Sequence, residues 1–261
     1  MLRKWRSLVP AVVLTLLTAS AALAAPPVRI AVVPGGGSGQ EQTAVDGISD
    51  ALQGNANVAL STVNPDWYVV CNVLEQPDQA AGTVKVNGTV TIKTVDGQVI
   101  DTVSVQTNKS DFSLSPGAPL NKQLVQNAVM EVLQGMAQRA IGPIEKAVTI
   151  EIATRDRIIS AQQLADQDQY DEAIGLLLPI TPDTTHFRAV RSLIAEYQME
   201  KASFEAYKAG EAAARKKQYS QAIRSMGAVN PKSKRYKKAR AKAGEYRAEM
   251  ARLARLAKNK A

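Results

Sequence analysis

The chain holds a single cysteine, Cys71, among 261 residues. One thiol excludes an internal disulfide framework and any cysteine-clustered zinc or iron–sulfur site. Histidine is equally scarce: His186 stands alone, which excludes a histidine-rich metal centre and argues against a Ser-His-Asp triad. Aromatic residues reach only 5%, yet the apolar fraction of 45% is ordinary and excludes wholesale disorder. Beyond the first twenty-five residues no apolar run approaches the about 20 residues that a membrane-spanning helix needs.

What is present begins with an address. Arg3, Lys4 and Arg6 carry the start, Val9 to Leu17 is apolar, and Ala22-Leu23-Ala24 offers small residues in an A-x-A arrangement. This is the layout of a secretory signal peptide over 1–24, cleaved between Ala24 and Ala25. No cysteine lies near that site, so the lipobox of a bacterial lipoprotein is absent. The expectation is an exported mature chain, periplasmic or secreted, without a transmembrane segment. Its charge is sharply divided. Residues 26–200 hold 11 Lys and Arg against 20 Asp and Glu, net −9; residues 201–261 hold 18 against 4, net +14. Such asymmetry points to an anionic partner for the tail, and export makes nucleic acid the poorest candidate.

Residues 26–143 read as a small α/β domain. Val28 to Val33 is a β-branched run closed by Pro34 and a glycine loop, Gly35-Gly36-Gly37-Ser38-Gly39. The loop lacks the Gly-Lys-Ser/Thr of a phosphate-binding loop and reads as a flexible strand-to-helix turn. Gln40 to Leu52 carries Val45, Ile48 and Leu52 at helical spacing. Trp67 to Leu74 is the next strand, and its Cys71 reads as a packed small hydrophobe. Thr83 to Thr94 alternates with Val84, Val86, Val90 and Ile92 on one face, and Val99 to Val105 answers it. The Asp96-Gly97 pair between them suits a two-residue type I′ hairpin turn. A helix over Leu120–Ile141 is expected to stop at Gly142-Pro143. The segments Ile30-Ala31-Val32-Val33-Pro34, Asp66-Trp67-Tyr68-Val69-Val70 and Gly88-Thr89-Val90-Thr91-Ile92, in this order of strands and helices, resemble the N-terminal domains of bacterial envelope-assembly proteins. Examples are the curli-secretion lipoproteins, the lipoprotein activators of penicillin-binding proteins and the Tol translocation protein. The resemblance implies a small mixed sheet with two helices and a place in the cell envelope.

The second half repeats at a spacing of forty-nine. Tyr170-Asp171-Glu172-Ala173-Ile174 aligns without a gap on Tyr219-Ser220-Gln221-Ala222-Ile223. Ala165 then matches Ala214, Pro182 matches Pro231, Phe187 matches Tyr236, Arg188 matches Lys237 and Tyr197 matches Tyr246. An aromatic, a small residue and a proline in fixed phase argue for duplicated helix pairs. Ile158–Gln167 reads as a first helix and Ala173–Leu178 as a second. A long helix follows over Phe187–Lys217, and a last one beyond Pro231. The Tyr-x-x-Ala-Ile core and terminating proline are similar to tetratricopeptide repeats, although the usual period is about 34 residues. The resemblance implies an all-α helical-hairpin domain over 150–258 that binds proteins. The fold class is therefore α+β: a mixed sheet with two helices, then a helical repeat domain.

The last helix carries Tyr236, Ala239, Ala243, Tyr246, Met250, Leu253 and Ala257 as one apolar stripe, ringed by Lys and Arg. Two readings stand: the stripe caps the repeats beneath a solvated basic face, or the basic face docks on a polyanion. Catalysis has little support. Asp166, Asp168, Asp171 and Glu172 cluster at a helix corner and read as solvated surface; His186 reads as a surface residue at a helix start. No catalytic, cofactor-binding or metal-binding residue is assigned, and no cofactor is expected. The function expected is a non-enzymatic adaptor or scaffold for envelope proteins, with Tyr170, Arg188, Tyr219, Lys237 and Arg240 as exposed contact residues. The alternative is a protein whose basic C-terminal helices bind an anionic envelope polymer or lipid surface. A hydrolase working through unassigned carboxylates is a third class.

Overall fold

A computed structural model describes residues 25–36, 39–115, 117–182 and 184–259. The expected signal peptide, 1–24, lies outside the described residues, as do Gly37 and Ser38 of the glycine loop.

Five strands form one mixed sheet: β1 (Val28–Pro34), β2 (Val58–Leu60), β3 (Trp67–Asp78), β4 (Thr83–Thr94) and β5 (Val99–Ser110), in the order β2-β1-β3-β4-β5. β1 runs parallel to β2 and β3, while β3–β4 and β4–β5 are antiparallel. The period-2 alternation of β4 places Val84, Val86, Val90 and Ile92 fully inside, as expected of a half-buried strand. Helix α1 (Gln42–Leu52) buries Ala44, Val45, Ile48 and Leu52. β2 was not foreseen, because three residues show no periodicity. The β4–β5 turn also differs from expectation. Type I′ needs positive φ at both central residues, whereas Gly97 has φ 85 and Asp96 is not positive. Gly97 N donates to Thr94 O at 3.0 Å and Thr94 N to Gln98 O at 2.9 Å. The connection is thus longer than two residues, and one glycine in the left-handed region closes it.

Helix α2 (Lys122–Asp166) starts where the Asn121 side chain accepts from Gln123 N at 2.8 Å, a standard N-cap. It then runs for 45 residues straight through Gly142-Pro143. The expected stop is corrected, and Ile158–Gln167 is the far end of α2, not a separate helix. The reason is packing. Proline removes one backbone hydrogen bond, but Met136, Ala140, Ile144 and Val148 continue one buried stripe across it. That stripe over the sheet outweighs the local preference. One helix therefore spans the expected boundary between 26–143 and 150–258. Pro143→Ala should restore the missing donor and raise stability by about 1–2 kcal/mol, after allowing for the freer unfolded chain. A thermal melt checks this, and a lower midpoint would refute it.

The rest is helical: α3 (Tyr170–Leu177), α4 (Phe187–Arg215), α5 (Tyr219–Gly227) and α6 (Tyr236–Lys258). The forty-nine-residue offset extends to the backbone. Asp168 (φ 65) and Lys217 (φ 59) both turn the chain in the left-handed region, just before α3 and α5. α4 and α6 begin at the equivalent Phe187 and Tyr236. Two small cores result. Ala161, Tyr170, Ala173, Leu177 and Val190 fill the first, and Tyr207, Met226, Ala239 and Ala243 the second. The architecture is α+β with a helical C-terminal part.

Candidate interaction surface at the helical repeats

Two buried glutamates, forty-nine residues apart, fasten the hairpins. Glu151 on α2 is 5% exposed. Its Oε1 accepts from Arg155 Nε at 2.7 Å and lies 2.6 Å from His186 Nε2, while Thr185 Oγ1 donates to Oε2 at 3.1 Å. The loop entering α4 is thereby tied to α2. Arg155 also reaches Asp66 Oδ2 at 3.2 Å, and Asp66 Oδ1 takes Arg29 at 2.7 Å. A chain of ion pairs and hydrogen bonds thus runs from β1 to the start of α4. His186 is half-buried in this junction and not the free surface residue the sequence suggested.

Glu200 on α4 repeats the device at 7% exposure. It accepts from Ser233 Oγ at 2.8 Å and from Lys234 N at 2.8 Å, tying down the loop that enters α6. Asp168 adds to this clasp: Lys234 Nζ lies 3.2 Å away and Arg235 pairs with its other oxygen. Arg235 NH1 donates to Tyr170 Oη at 3.0 Å. The sequence suggests solvated acids at this corner, but Asp168 is an inter-repeat contact instead.

Burial alone would raise the carboxyl pKa values of Glu151, Asp66 and Asp168. Their hydrogen bonds and opposite charges outweigh it, so all three are held below the ordinary carboxylate value. His186 and Arg155 do this for Glu151, Arg29 and Arg155 for Asp66, and Arg235 and Lys234 for Asp168. A depressed folded-state value contributes stability above the unfolded value and loses it as pH falls through the folded one. The contribution of these three carboxylates should therefore be level near neutrality and begin to fall below about pH 4.5, continuing past pH 3.8, where the unfolded carboxyls protonate. Urea midpoints between pH 7 and pH 3 check this; a midpoint that does not fall refutes it. Glu151 has both oxygens occupied and is ionised, so it fastens the fold and is poorly placed to take a proton. Burial, with the Glu41 charge second, pushes the Cys71 thiol up to about 12. It is fully buried and stays a thiol. Among the described residues, no group of three His, Cys, Asp or Glu side chains converges as metal ligands do. Nor is any described helix long and apolar enough to cross a membrane.

The five contact residues expected from sequence are scattered. Tyr170 is corrected from exposed to buried, at 3%. Its ring meets Phe204 edge-on at 6.2 Å and lies 5.5 Å beneath Lys234 Nζ. The aromatic that marks the repeat is the anchor that packs it. Tyr219 is half-buried, 6.3 Å from the Tyr246 ring. Arg188, Lys237 and Arg240 are exposed, and Arg240 donates to Tyr236 Oη one turn back at 3.2 Å. Among the described residues, no hydrogen bond or ring contact joins any two of the five. Lys237 and Arg240 alone share an element, the first turn of α6. Sequence reasoning missed Glu151 and Glu200. The signal existed, since the same offset that pairs the tyrosines aligns Glu151, Glu200 and Glu249.

Glu249 is the odd member. Among the described residues it meets only Arg252 of its own helix, at 2.7 Å, and a third of its side chain is exposed. The apolar stripe of α6 divides in the same way. Ala239 and Ala243 are buried, whereas Met250, Leu253 and Leu256 are 42%, 40% and 47% exposed. The stripe caps the repeats only as far as Tyr246.

In class, the chain is an α+β protein whose sheet-spanning helix carries two stacked helical hairpins. No family model matches it, and no curated protein matches it either. Among solved structures it is similar to a Xanthomonas campestris protein of family model DUF330, at 10% identity and a TM-score of 0.31, over 47% of this chain and 86% of that one. It is also similar to a minor lipoprotein from Acinetobacter baumannii, at 17% identity and a TM-score of 0.29, over 44% and 90% of the two chains. Likenesses of this strength carry no argument about what the chain does.

Proposed function

We propose that the chain is an exported, non-enzymatic adaptor that binds partner proteins in cell-envelope assembly or maintenance. One observation carries the reading: the clasped hairpins form a stiff platform whose far end leaves an apolar strip and a dense basic rim uncovered. Apolar strips rimmed by polar residues are a recurrent form of protein-docking surface. The signal-peptide-like start supports export. The likeness to envelope-assembly domains and to tetratricopeptide repeats supports a scaffold.

The test is affinity capture from an envelope extract at physiological salt. The intact chain is compared with a triple variant, Arg188→Ser, Lys237→Ser and Arg240→Ser. These side chains are exposed, so the variant should melt with the parent. The adaptor reading expects defined proteins on the parent and fewer on the variant. Capture of lipid or polymer alone would overturn it. That outcome is what the second reading expects, a polyanion-binding surface favoured by the net +14 of residues 201–261. Binding of that kind to phosphatidylglycerol vesicles should weaken steeply between low and physiological salt. Turnover abolished by a single carboxylate change would instead mark an enzyme.

A further inference from the structure

The open end of the platform repeats, position for position, the surface that receives a helix one unit earlier. There, the segment 233–235 leading into α6 sits on Asp168, Tyr170 and Glu200. Forty-nine residues on, the same positions are Lys217, Tyr219 and Glu249. Lys217 is exposed and forms no ion pair among the described residues. Among the described residues, Glu249 meets only its own turn. Leu253 and Leu256 stand where Phe204 and Tyr207 stand one unit earlier, and those two are packed into the helical cores. Ser220 Oγ lies 3.5 Å from Met250 Sδ, so the start of α5 and the exposed strip of α6 form one surface.

The charges at this end are inverted. Asp168 binds the Lys234 and Arg235 of the incoming segment; Lys217, in its place, calls for an acid. Arg215 and Lys216 precede it, and Arg247 and Arg255 flank the strip, all exposed. Helix N-terminal turns are where acidic residues are favoured. We propose that the open end of α5–α6 is a docking site for a partner-protein helix with an acidic leading turn, seated as the start of α6 is seated on the preceding unit. An anionic bilayer fits less well. It would meet the Glu249 carboxylate, and beyond Tyr246 the strip has no aromatic side chain of the kind that anchors interfacial helices.

The inference rests on the adaptor reading and names its partner chemistry. Its test uses the full chain carrying a photoreactive p-benzoylphenylalanine in place of Leu253, with a second version carrying it in place of Arg188. After irradiation in the producing cells, the captured segment is sequenced. The expected result is capture through position 253 of an amphipathic protein segment with an acidic leading turn. Lys217→Asp should reduce that capture about tenfold. The variant should fold normally, since Asp168 already holds the same left-handed conformation. Crosslinks to lipid, to a segment without that acidic turn, or undiminished capture with Lys217→Asp would overturn the proposal. Protein captured through position 188 but not 253 would overturn it and leave the adaptor standing. Protein captured at neither position would overturn both.

Discussion

Replacing Glu151 with alanine is expected to destabilise the protein by about 3–5 kcal/mol, the range for breaking one side of a buried, hydrogen-bonded charge cluster. The cost arises from what remains. Thr185 loses its acceptor, His186 loses its partner, and among the described residues Arg155 keeps only Asp66 and the Pro26 carbonyl. Glu200→Ala should cost a comparable amount, because Ser233 Oγ and Lys234 N lose their acceptor. Glu249→Ala occupies the third equivalent position and should change stability by no more than about 0.5 kcal/mol. Urea unfolding of the three variants is the measurement. Equal effects at all three positions would mean that the glutamates are not clasps, and a small effect at Glu151 would remove it as the joint between sheet and repeats.

Gly88→Val should cost about 3 kcal/mol, at the upper end of core overpacking. Gly88 lies on the inward face of β4, pressed against α2. A Cβ there would lie 2.3 Å from Met136 Sδ and 2.5 Å from Val132 Cγ1. Met136 could swing aside, but branched Val132 has little freedom on a helix. The gain in strand propensity from valine is smaller than this collision. A second change, Met136→Ala, should return part of the loss, with a coupling of about 1 kcal/mol or more. Strictly additive effects would show that the close approach of α2 to β4 is not what demands glycine.

The sheet was legible because its signals are local and redundant. Alternation in β4, the β-branched run of β1 and the stripe of α1 each report one buried face. The repeats were legible for a related reason, since duplicated packing leaves duplicated side chains at one offset. Three features misled. Gly142-Pro143 is a strong breaker locally, but the stripe from Met136 to Val148 decides the outcome over a longer range. Asp96-Gly97 fits several turn types, and only Gly97 takes a positive φ. Tyr170 reads as a recognition aromatic, while its packing against Phe204 and Arg235 depends on residues 34 and 65 positions away. The clasps were hardest to see. Their only trace in the sequence is the forty-nine-residue offset that aligns Glu151, Glu200 and Glu249, and that offset does not tell a buried glutamate from an exposed one; burial of Glu151 is set by the incoming loop of another element.

The unbroken α2 has a mechanical corollary. Forty-five helical residues reach about 65–70 Å, longer than a small domain is wide. The sheet grips one stretch of this beam and the first hairpin grips the other, with the Glu151 knot beside the point where they meet. No slack tether separates them, so a molecule held at the sheet and another held at the hairpins would be kept a set distance apart. The separation of any two such molecules would be fixed by the length of the helix, not by a linker.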